Sequence, residues 1–60
     1  MIGAVKQDGS RIEIYDENGS YKACINAYDG LVGYTSTTVT VKNGNHNEIY
    51  DESGSYKGCI

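Results

Sequence analysis

Apolar and polar residues alternate along much of this chain, and nowhere do apolar residues recur at helical spacing for ten residues. Short β-prone runs stand at residues 2–7, 11–15, 20–26, 36–42, 45–50 and 55–60, and Thr37–Val41 is the most β-branched stretch. Turn signals separate them. Asp8-Gly9 and Asn43-Gly44 are residue pairs that tolerate positive φ at both centres of a type I′ turn. Asp16-Glu17-Asn18-Gly19 and Asp51-Glu52-Ser53-Gly54 suit a type I turn followed by a glycine bulge, with Asp accepting backbone N–H bonds and Gly left-handed. The pattern predicts six strands and no helix. Alternation sets Ile12 and Ile14 on one face, with Arg11, Glu13 and Tyr15 on the other. By the same rule Tyr21, Ala23 and Ile25 share a face, opposite Ser20, Lys22 and Cys24.

The runs repeat. The thirteen residues Glu13–Ile25 return as Glu48–Ile60, identical at eleven positions and offset by 35, and the same offset aligns Asp8-Gly9 with Asn43-Gly44. The expectation is an all-β single domain over residues 1–60: two tandem three-stranded antiparallel units, 1–25 and 36–60, related by a 35-residue internal repeat and joined by a connector at 26–35. Repeated units that cannot bury a face alone stack on one another. Asn47 stands where the first unit has Ile12, so the two copies face different surroundings. Tyr15-Asp16-Glu17-Asn18-Gly19 and Tyr50-Asp51-Glu52-Ser53-Gly54, each after an alternating strand, resemble the Tyr-Asp-x-x-Gly hairpin of YD-repeat shell proteins. The pattern is also similar to small bacterial proteins with two Tyr-Asp-Glu-x-Gly hairpins. The resemblance covers about 25 residues and implies hairpins and stacking; it transfers no activity. The Arg that follows the glycine in the shell repeat is replaced by Ser20 and Ser55.

Composition narrows the function. Sixty residues with six Tyr, no Phe, no Trp and no Pro offer a thin apolar inventory for an independent core. Small domains make up that shortfall with disulfides, a metal or a partner chain. No export leader precedes Cys24 and Cys59, so the expectation is free thiols in the cytoplasm, with a bridge at a pseudo-twofold or oligomer axis as the alternative. They lack the Cys-x-x-Cys spacing of a redox or zinc site. No apolar run is long enough to span a membrane. A net charge of −3 argues against nucleic acid and anionic membranes as partners.

Chemical candidates are sparse. Asp16, Glu17, Asp51 and Glu52 lack the ligand spacing of an EF-hand loop, and turn formation accounts for them. His46 is the lone histidine, with no nucleophile beside it, so neither an enzyme nor a cofactor is expected. The tyrosines stand out, because an apolar ring with a polar tip suits interfaces and sugar-binding surfaces alike. The expected function is a non-enzymatic structural or interaction module of bacterial or phage origin that works as a homo-oligomer, a dimer ahead of a trimer. Tyr21, Ile25, Tyr56 and Ile60 are the candidate contact residues, since the last strand ends at Ile60 with an unguarded edge. The alternative is a small lectin-like protein with repeat-related pockets built from Tyr15/Asp16 and Tyr50/Asp51.

Overall fold

The computed structural model describes all residues 1–60. The chain is all-β, without a helix, and forms seven strands in two antiparallel sheets. The first sheet holds β1 (Ile2–Asp8), β2 (Arg11–Asp16) and β3 (Tyr21–Asn26) in the order β1-β2-β3. The second holds β4 (Gly30–Tyr34), β5 (Thr38–Asn43), β6 (His46–Asp51) and β7 (Tyr56–Cys59) in the order β4-β5-β6-β7. The molecule measures 15 Å along its shortest axis, the thickness of two stacked sheets.

The packing follows from the alternation. Ile12 and Ile14 are fully buried, and they stand opposite Ile25 and Ala23 of β3. These side chains meet Val39 and Val41 of β5, also fully buried, in one cluster with Ile2 and Ala27. Val5, Leu31 and Tyr50 pack around it. The sheets are tied where β1 runs beside β4: Ile2 N–H donates to the Ser36 carbonyl at 2.7 Å, and Leu31 N–H to Gln7 Oε1 at 3.4 Å.

Three sequence expectations need correction. The connector at 26–35 is not strand-free. Gly30 N–H donates to the Ala27 carbonyl at 2.8 Å, and the turn so closed launches β4 antiparallel to β5. Two glycines and a bulge at Val32 hide this strand from a periodicity argument, because the alternation breaks within five residues. The second unit therefore becomes a four-stranded sheet rather than a three-stranded one.

The short hairpins also turn differently. Asp8 pairs with Arg11 and Asn43 with His46, so the central residues are Gly9-Ser10 and Gly44-Asn45. Only Gly9 and Gly44 take positive φ, at 63° and 64°, which is the type II′ pattern with glycine at the first centre.

Finally, Tyr21 leaves the face of Ala23 and Ile25. The ladder slips between Ile14 and Tyr15, leaving Lys22 unpaired and bringing Tyr21 opposite Tyr15. Their rings meet edge to face with centroids 5.9 Å apart.

Candidate functional site

Each long hairpin builds the same tyrosine-centred arrangement from its own residues. Asp16 opens the first turn: its Oδ1 accepts the N–H groups of Asn18 and Ser20, both at 2.9 Å. Asp51 Oδ1 does the same for Ser53 and Ser55, at 3.0 and 2.9 Å, and also accepts the Ser53 hydroxyl at 2.8 Å. Gly19 and Gly54 close the turns at φ 84° and 88°, as the type I turn with a glycine bulge requires. The bonds from Ser20 and Ser55 hold the Asp16 and Asp51 carboxyls below the usual aspartate range.

Beyond the turn the tyrosines align. Tyr15 donates its hydroxyl to Glu13 Oε1 at 2.9 Å, and Tyr50 donates to Glu48 Oε1 at 2.8 Å. Tyr50 and Tyr56 repeat the edge-to-face contact of Tyr15 and Tyr21, with centroids 5.7 Å apart. The Glu13 bond raises the Tyr15 phenol, while Cys24 and Cys59 are the main causes that raise Tyr21 and Tyr56. Burial, then the Tyr28 hydroxyl and Glu48, push Tyr50 well above the usual tyrosine range. Glu48 is held low by hydrogen bonds from Tyr50, Asn43 and His46.

The residues singled out in the sequence thus divide by exposure. Tyr21 and Tyr56 are each 56% exposed and Ile60 is 75% exposed, so all three are free to meet a partner. Ile25 is buried in the core at 8% and serves packing between the sheets. Tyr15 and Asp16, like Tyr50 and Asp51, are half-buried. Cys24 and Cys59 are exposed free thiols. Exposed Val32 and Tyr34 lie on β4, which the sequence did not mark as a strand; the apolar Leu31-Val32 pair was its one signal.

One concave site is present, a cleft of about 290 Å³ at the β3 side of the sandwich, bounded among others by Arg11, Asn26, Tyr28, Tyr50 and Gly54. Tyr28 sits there in the left-handed region at φ 49°. Tyr15, Asp16 and Asp51 do not line it. Tyr50 does line it, and the Asp16 and Asp51 carboxylates each accept N–H groups of their own turn. No three of His, Cys, Asp and Glu come together as a metal-holding group. His46 Nε2 lies 3.2 Å from Glu48 Oε2, a pair with no nucleophile in it. No helix is long and apolar enough to cross a membrane. No protein-family model, curated protein or solved structure matches the chain.

Proposed function

We propose that this chain is a non-enzymatic structural or interaction module that works by associating with copies of itself. One observation carries the reading. Only seven residues are buried, while the large side chains of Met1, Tyr21, Tyr28, Val32, Tyr34, Tyr56 and Ile60 are exposed. A core this small is marginal alone, and burying exposed tyrosines and aliphatics between copies adds the missing apolar contact. Tyrosine suits such a contact because it covers area with few rotatable bonds while its hydroxyl stays solvated or hydrogen-bonded. The likeness of both hairpins to the YD repeat is in keeping with a structural role. Two exposed thiols fit a reducing, cytoplasmic setting, in which they stay free.

Sedimentation equilibrium across the micromolar range tests self-association. The expected result is a weight-average mass that rises with concentration above 6.5 kDa. A monomer that unfolds cooperatively and keeps its monomeric mass throughout would overturn the reading.

A further inference from the structure

The two sheets do not meet through the same face. Residues 35 positions apart have corresponding strand partners. Ile12 stands opposite Ile25, and Asn47 exchanges backbone hydrogen bonds with Ile60; Ile14 stands opposite Ala23, and Ile49 opposite Gly58. Each sheet therefore has an isoleucine face and a tyrosine face. The first sheet turns its isoleucine face inward, with Ile12 and Ile14 fully buried. The second turns its tyrosine face inward at β5 and β6: Val39 and Val41 are fully buried and stand opposite Tyr50 and Glu48, while Tyr34 and Tyr56, on the same face in the outer strands, stay exposed. The interface inside the molecule thus joins unlike faces, a heterologous contact in which neither sheet uses the face its partner uses. It leaves a tyrosine face on the outside of the first sheet and an isoleucine face on the outside of the second.

We propose that these two free faces bind each other between molecules, so that the chain stacks head to tail on further copies of itself. Ile49 and Ile60 of one copy meet Tyr15 and Ala4 of the next. This deepens the self-association reading and rests on it. The occupant is identified by the interface already formed within the chain, because each free face is the counterpart of one that is covered there. Ile60 is 75% exposed where its counterpart Ile25 is 8% exposed. The free faces are also more polar than the covered ones. Asn47 replaces Ile12 and Thr40 replaces Val5 on one side; Ala4 and Lys6 replace Val39 and Val41 on the other. Each of these exchanges lowers the apolar area that a contact through the free faces can remove from water. The contact between copies is therefore weaker than the one inside the molecule and depends on concentration.

The test is complementation, read by sedimentation equilibrium on the full chain. Ala4→Glu blocks the free tyrosine face and Thr40→Lys the free isoleucine face, and urea unfolding checks that each variant folds. Tyr21→Lys and Ile60→Lys, at more exposed positions, replace any variant that does not fold. Each blocked variant alone is expected to be monomeric. An equimolar mixture of the two is expected to form a one-to-one complex of twice the 6.5 kDa chain mass, since each supplies the face the other lacks. Lys6→Val with Asn47→Ile should tighten association at least ~tenfold, with mass rising without a plateau. A wild-type mass that levels off at a closed dimer, or blocked variants that fail to complement, overturns head-to-tail stacking while leaving self-association intact. A wild-type chain that stays monomeric overturns both.

Discussion

Tyr15 and Tyr50 make the same hydrogen bond, hydroxyl to the glutamate two residues earlier, at 2.9 and 2.8 Å, yet they face opposite environments. Tyr50 packs against the core between the sheets, and Tyr15 looks out from the first sheet. Local geometry is shared because the hairpins share their residues. What covers each ring differs because the sheets are stacked through unlike faces.

The same asymmetry should govern mutational cost. Ile14 and Ile49 occupy corresponding positions, the first fully buried and the second half-buried outside the core cluster. Ile14→Ala should destabilise by about 3 kcal/mol, from lost burial and the cavity left behind. Ile49→Ala should cost less than about 1 kcal/mol. Urea denaturation, repeated at falling protein concentration until the midpoint no longer moves, measures both without a contribution from association, and equal costs would contradict the face assignment.

The turn aspartates predict an acid limb. The carboxyls of Asp16 and Asp51 are lowered in the folded chain, so the unfolded chain binds protons more readily. Their contribution is fully present above the unfolded aspartate value near 3.8 and is lost as pH falls through the lower folded values. The urea midpoint should therefore hold steady from pH 7 to about 5 and decline below about 4. Asp16→Asn with Asp51→Asn keeps an acceptor oxygen in each turn and should flatten that decline.

Gly3 sits at the bulge in β1, between the pairs Ile2–Asp16 and Ala4–Tyr15. A Cβ there would run into the Asp16 carbonyl oxygen and lie 2.6 Å from Glu17 Cα, both backbone atoms that cannot swing aside. Gly3→Ala should cost about 2 kcal/mol, within the range for overpacking. Gly33→Ala, where a Cβ meets nothing within 4 Å, should stay within about 0.5 kcal/mol of wild type. Thermal or urea unfolding of the two variants side by side checks the contrast.

Cys24 and Cys59 are both exposed and unpaired. An aromatic disulfide reagent should titrate two thiols per chain without denaturant, at rates close to those of the unfolded protein. A second thiol that appears only in denaturant would contradict the exposure of one of them.

Much of this architecture was legible in the sequence because its causes are local. An Asp at the head of a turn and a Gly at its end need only their neighbours' N–H groups, and the Ile12/Ile14 alternation is fixed by the two-residue period of a strand. The long hairpins, and the placing of Glu13 and Tyr15 on one face, therefore read directly; the hydrogen bond between them did not. The short hairpins misled, because Asp8-Gly9 and Gly9-Ser10 are both reasonable centres and the ladder register chooses between them. Tyr21 misled for a related reason: the bulged residue Lys22 puts its two neighbours, Tyr21 and Ala23, on opposite faces, where strict alternation would put them on one. β4 was invisible because its strand character comes from pairing with β5, and its own Gly30 and Gly33 argue against it.

The sequence by itself determined that this protein is all-β, that its two long hairpins are built alike, and which residues each turn requires. Those are short-range consequences of side-chain alternation and turn chemistry. Only the tertiary structure decided which face of each sheet is buried. Both faces of a strand carry apolar groups here, Ile on one side and Tyr or Val on the other, so the choice depends on which sheet lies opposite. Burial of Val39 and Val41 against Ile12 and Ile14 removes more apolar surface from water than the alternative facing of Thr40 and Asn47. That one energetic preference sets the core, leaves Ile60 and Tyr21 exposed, and gives the molecule two different outer faces.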